Sequence, residues 1–182
     1  MENLLDKIKN SEVFLYPTDT VWGLGCDATN ECAVDKIYKI KDRAESKSLI
    51  ILVNSVEMLK NYIECIPEGA LRIVKESNRP TTIIYSDPKG LAKNVIAKDN
   101  TVAVRIVKHE FCETLIEKLG KPIVSTSANV SGQPTPKSFS EISKAILEGV
   151  DYVVDLQHDS KSDKSSRILK VNRDGTIEVI RN

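Results

Sequence analysis

At 182 residues, with 41% hydrophobic side chains, the chain has material for one well-filled core and is short for two. Lys plus Arg and Asp plus Glu each number 26, a formal charge of zero, which argues against a long nucleic-acid groove but not against a local basic patch. No run of about 18 apolar residues occurs, so no membrane partner is expected, and "MENLLDKIKN" lacks the basic start and apolar core of a secretory leader.

Leu4, Leu5 and Ile8 recur at helical spacing over residues 2–10. "EVFLYP" reads as a strand stopped by Pro17, where the ladder loses a donor. "CAVDKIYKIKDR" places Ala33, Val34, Ile37 and Ile40 on one helical face, with Lys36, Lys39, Lys41 and Arg43 on its exposed side and last turn. "SLIILVN" predicts a strand, then "SVEMLKNYIECI" and "PEGALRIVKES" predict helices. "PTTIIYSD" and "TVAVRIVK" follow as strands, and "EFCETLIEKLGKP" as a helix with a glycine stop. "PIVSTSA" predicts a strand, "FSEISKAILEGV" one helix and "DYVVDL" a further strand. Residues 157–166, "QHDSKSDKSS", lack core-forming side chains and predict a mobile loop. "SRILKVN" and "TIEVIRN" then form a hairpin around Arg173-Asp174-Gly175. Strands and helices in this order predict a mixed, helix-covered sheet in an α+β domain spanning residues 1–182, with no additional C-terminal domain.

The four cysteines are scattered, which predicts buried or half-buried free thiols in a reducing, cytoplasmic setting. With two histidines and no paired cysteine spacing, no metal-ligating set is expected. "GLGCDA" has two of the glycines of a dinucleotide loop, but lacks the third and the helix that should begin there. Its glycines instead suit a close backbone turn beside a ligand or another element. No Walker A loop or nucleophile elbow is present.

Four separated segments could carry chemistry, and each has a plain structural alternative. In "YPTDTVWGLGCDA", Thr18, Asp19 and Thr20 either cap a turn or hold a small polar substrate. The run Lys39, Lys41, Arg43 and Lys47 is either a solvated helix face or a phosphate site. Arg105, alternating with Val104 and Ile106, either faces solvent or turns inward, where it needs an anionic partner such as a carboxylate. In "VSTSANVSGQ", Ser125, Thr126, Ser127 and Asn129 either cap backbone donors or, with exposed amides, hold phosphate oxygens.

Taken in this order, "YPTDTVWGLGCDA", Lys41-Asp42-Arg43, "TVAVRIVKHE" and "PIVSTSANVSGQPTP" resemble the YrdC family, whose members include threonylcarbamoyl-adenylate synthases. The likeness covers roughly residues 12 to 180. It implies a YrdC/RibB-like fold, a twisted mixed sheet around a concave, positively charged cavity. It also implies synthesis of L-threonylcarbamoyl-AMP from L-threonine, bicarbonate or carbon dioxide, and ATP with Mg2+. Partner proteins of the tRNA threonylcarbamoyl-transfer machinery would then build N6-threonylcarbamoyladenosine on tRNA.

Carried over by position, Thr20, Arg105, Ser125 and Ser166 would bind threonine, Arg105 through the carboxylate. Lys41, Arg43 and Lys47 would form the catalytic positive wall. Arg43, Lys47, Ser127, Asn129 and Arg173 would contact the nucleotide. The polar segment 157–166 would close over the labile product. The sequence departs from the family pattern at Ala44, which replaces a proline, and at Asn78-Arg79-Pro80-Thr81-Thr82, which replaces a Trp-Pro-Gly-Pro-x-Thr run. Arg167 stands in place of a small hydroxyl residue. A family member that binds double-stranded RNA or tRNA without synthase activity is the alternative reading.

Overall fold

The computed structural model describes residues 1–43, 49–162, 164–172 and 174–182. Nine strands form one mixed sheet in the order β7-β1-β2-β6-β3-β5-β4-β8-β9. They are β1 Phe14–Tyr16, β2 Gly23–Gly25, β3 Ile50–Val53, β4 Thr81–Ser86, β5 Thr101–Ile106, β6 Ile123–Ser127, β7 Tyr152–Val153, β8 Arg167–Val171 and β9 Ile177–Arg181. The pairs β1/β7, β3/β5 and β4/β8 are parallel and the remaining neighbours antiparallel.

The helices α1 Glu2–Lys9, α2 Glu31–Ile40, α3 Val56–Tyr62, α4 Glu68–Glu76 and α5 Glu110–Leu119 fall where the apolar spacing predicts them. Side chains cap two of them, because the Asn30 carbonyl oxygen accepts from Ala33 N and the Ser55 hydroxyl from Met58 N. Gly120 ends α5 in the left-handed conformation at φ +70°, which a side chain would strain. The single helix predicted over 139–150 is broken: a 3-10 turn at Phe139–Glu141 is followed by extended Ile142 and Ser143, and α6 is Lys144–Gly149. Serine favours an extended N-cap over a helix interior, and the break lets Ile142 and Ile146 pack into one cluster with Trp22 and Leu24.

Alternation along the strands divides the core between two faces. Ile51, Val53, Ile83, Tyr85, Val102, Val104 and Val124 pack against α2, α3 and α4. On the other face, Leu52 and Ile123 meet Leu4 and Ile8 of α1 and Cys112, Leu115 and Ile116 of α5. That second cover is incomplete. The register sets Ser125, Ile50, Ala103 and Ile84 in one row across β6, β3, β5 and β4, and all four floor a cavity.

Within the segment 23–28, where a close turn is expected, Gly23–Gly25 form strand β2 rather than a turn, while the expected close approach to another element is present. Across the β1/β2 ladder Phe14 faces Gly25 and Tyr16 faces Gly23, with the two rings 4.9 Å apart. A Cβ on Gly25 would lie 2.7 Å from both rings, so the glycine is kept by the aromatics that cover it. Gly25→Ala should lower unfolding stability by about 1–3 kcal/mol through overpacking. Denaturant titration checks this, and a change below about 0.5 kcal/mol would remove that reading of the glycine.

Two further expectations are corrected. Cys26 and Cys112 are buried free thiols, but Cys32 and Cys65 are exposed. Lys41, assigned above to the exposed last turn of a helix, is 1% exposed. Helix α2 ends at Ile40, and Asp42 adopts φ +47°. Helical periodicity therefore no longer sets the direction of Lys41.

Candidate active site

The cavity encloses about 300 Å³. Its floor is the uncovered sheet face, and its walls are the turn after β1, Thr126 and Ser127 of β6, Ser165 and Ser166 before β8, and the end of β9. Arg43, Arg105 and Arg181 face it, and no carboxylate belongs to its wall among the described residues. Three guanidiniums without a lining carboxylate make the concavity electropositive.

Thr18 and Thr20 divide the two readings of their segment. Thr18 Oγ1 donates to Val21 O at 2.8 Å and accepts from Thr20 N at 3.0 Å, so it shapes the turn. Thr20 is 5% exposed and lines the cavity.

Arg105 turns inward and is 4% exposed. The anionic partner that burial demands is Asp19, whose Oδ1 lies 3.0 Å from Arg105 Nη2. The pair is poorly aligned: Asp19 Oδ1 and Arg105 Nε and Nη2 are all buried without a hydrogen bond. A buried guanidinium with unmatched donors on a cavity wall is built to receive an anion.

Ser125 and Ser127 project from alternate positions of β6 onto the cavity. Ser166 is 2% exposed; its hydroxyl pairs with Thr82 Oγ1 at 2.8 Å, and its carbonyl accepts from Arg181 Nε at 3.0 Å and Nη2 at 2.8 Å. Burial and the nearby charge of Arg105 lower the pKa of Arg181, and burial does the same to Arg43.

Asn129 does not line this cavity. Its Nδ2 donates to Gln133 O at 2.7 Å and Val130 O at 3.0 Å, while its Oδ1 accepts from the Ser127 hydroxyl. It borders an adjoining hollow of about 510 Å³ that shares Thr135 with the cavity.

Lys41 also stands outside the wall. Its ammonium donates to the carbonyls of Ser127 and Asn129, the latter at 2.6 Å, and its own carbonyl accepts from Ser131 N at 2.7 Å. Burial and the charge of Arg43 bring the Lys41 pKa down to about 7. Lys47, Arg173 and Ala44 lie outside the described residues. Arg181 was missed by sequence reasoning, and it occupies the cavity wall beside Ser166.

An uncovered sheet face of an α+β domain, ringed by arginines and hydroxyls, has the chemistry of a small-molecule site able to receive carboxylates or phosphates. The family model Sua5_yciO_yrdC, described as Telomere recombination, matches residues 6–182, and the chain belongs to that family. The threonylcarbamoyl-AMP synthase of Pseudoalteromonas translucida is 36% identical over 154 residues, 81% of each chain. Two solved structures of P. abyssi Sua5 superpose with TM-scores of 0.89 and 0.84 at 27% and 29% identity, the second complexed with L-threonine. They match 98% and 92% of this chain, which spans only 55% and 49% of theirs.

Proposed function

We propose that this chain is an L-threonylcarbamoyladenylate synthase supplying tRNA threonylcarbamoyladenosine formation. The observation that carries the reading is Arg105, a buried guanidinium with two unmatched donors on the wall of an arginine-lined cavity. Its relatives named as threonylcarbamoyl-AMP synthases support it.

In this reading the threonine carboxylate meets Arg105, with Thr20, Ser125 and Ser166 around the rest of the amino acid. The substrate amine takes up carbon dioxide, losing a proton to form an N-carboxylate. An oxygen of that group attacks the α-phosphorus of ATP as the bond to diphosphate breaks, leaving the mixed anhydride. No protein nucleophile is consumed, so the wall serves to align anions and to offset charge at phosphorus.

Arg43 and Arg181 are placed for that electrostatic role, with Ser127 beside them and Asn129 holding Ser127. Arg181 adds a second late cation to the nucleotide-facing wall, and Arg173 keeps its assigned nucleotide role from the resemblance. Lys47 keeps its assigned nucleotide role from the resemblance. Mg2+ would come bound to the triphosphate and offset its charge; a wall without carboxylates among the described residues suits a metal carried by the nucleotide better than a resident ion.

The test is product formation. Purified protein with ATP, magnesium, bicarbonate and isotopically labelled threonine should yield labelled threonylcarbamoyl-AMP with matching diphosphate by mass-resolved chromatography. Omission of any reactant should abolish it. Protein that binds ATP and threonine yet makes neither product would overturn the synthase reading in favour of a binding or regulatory family member.

A further inference from the structure

Asp19 joins the arginine-lined cavity to a second one. While Arg105 faces the first, Asp19 lines a separate hollow of about 200 Å³, whose wall also includes Val74, Arg79, Pro80, Ile106 and Lys108. This hollow runs along the segment where the chain departs from its family pattern, and none of the roles above uses it. The volume is below the roughly 300 Å³ at which sites for drug-sized ligands begin, so a small molecule is the fitting class.

The chemistry of the wall is polarised. The Asp19 side chain is 9% exposed, and its Oδ1 accepts no hydrogen bond despite the neighbouring guanidinium. Lys108 and Arg79 are exposed at the same hollow, Lys108 held to Ser77 O at 3.3 Å and Arg79 to Asn182. Val74, Pro80 and Ile106 supply apolar surface. A mostly buried carboxylate held to Arg105 by a poorly aligned ion pair, two cations and an aliphatic wall complement a zwitterion with a short aliphatic chain.

We propose that the second cavity binds a small aliphatic α-amino acid, its ammonium on Asp19, its carboxylate toward Lys108 and Arg79, and its side chain against Val74, Pro80 and Ile106. An ammonium drawn to Asp19 loosens the hold of Asp19 on Arg105. Arg105 then offers its donors more fully to a carboxylate in the first cavity. Occupancy of the two cavities is therefore positively coupled, and the coupling is reciprocal. The coupling rests on the threonine reading of the first cavity; the second site does not.

Calorimetric titration with L-valine separates the two. Valine should bind the unsubstituted protein in the millimolar range, and about tenfold more weakly in Lys108→Glu and Val74→Phe. Isobutylamine or isobutyrate, each bearing half of the charge pattern, should bind more weakly than valine. Binding should persist in Arg105→Ala, which distinguishes the second cavity from the first. No valine binding, or equal binding in Lys108→Glu and Val74→Phe, would overturn the proposal. A threonine KM for diphosphate release that Arg105→Ala leaves unchanged would instead sink the functional reading and leave the second site standing, because turnover reports on the first cavity alone.

Discussion

Replacing Arg105 by alanine is expected to raise the threonine KM by about two orders of magnitude, with the KM for ATP changing by less than about threefold. The argument begins with burial: a guanidinium that is 4% exposed has little water to compensate it. Its Nε and Nη2 find no aligned acceptor within the protein. A substrate carboxylate that supplies the missing acceptors makes a charge-assisted contact, and truncating one partner of such a pair costs about 2–5 kcal/mol. ATP is assigned to the part of the wall near Arg43, Arg181 and Ser127, so its affinity should be spared.

Alanine at 105 also leaves the Asp19 carboxylate buried without its cation, which costs about 3–5 kcal/mol of folding stability. The double variant Asp19→Asn/Arg105→Ala removes that penalty and should regain much of the stability without regaining threonine affinity. Initial rates of diphosphate release with each substrate varied, alongside melting of each variant, separate the two effects. Equal losses for threonine and ATP would defeat the assignment.

The direction of Arg105 was not readable from β5 alone, because alternation allows either face and both faces of a central strand are buried. The sequence showed only that an inward arginine needs an anion. Asp19 lies far away along the chain, and their meeting depends on the turn after β1. Arg181 was hidden differently. It ends a strand all of whose residues, Arg181 included, are exposed, and such a strand suggests a peripheral hairpin. A plain register count from the Asp174-Gly175 turn carried a signal: with Val171 opposite Ile177 it sets Arg181 opposite Arg167, next to Ser166, and the bulge that moves Arg181 to Ile168 is visible only in the structure.

The Gly23–Gly25 strand escaped for a compositional reason. Glycine weakens a strand in isolation, and the aromatic rings that compensate it come from β1. By contrast, the hydroxyls of "VSTSANVSGQ" were legible because they continue an apolar strand at its exit into a cavity. Their backbone geometry was not, since it depends on an ammonium from another element.

That ammonium carries the last prediction. Lys41→Met is expected to lower stability by about 2–5 kcal/mol, because two inward carbonyls lose their donor. It should also raise the KM for ATP more than that for threonine. The carbonyls belong to Ser127 and Asn129, so the clamp acts on the segment assigned to nucleotide without touching the ligand.

A pH series tests the clamp in a way a generic packing loss would not reproduce. The pKa of Lys41 falls from an ordinary 10.5 to about 7 on folding, through burial first and then the charge of Arg43. Between those values the unfolded chain holds a proton that the folded chain has released, so this group makes stability rise with pH across the window. Below about 7 both states are charged and the burial penalty is carried in full. The neutral amine still has two N–H donors for its two carbonyls. Other ionisable groups titrate alike in both proteins and cancel in the difference. The gap in unfolding free energy between unsubstituted protein and Lys41→Met should therefore widen from pH 6 to pH 9. A gap independent of pH, with the ATP KM unchanged, would show that Lys41 fills space without shaping the nucleotide segment.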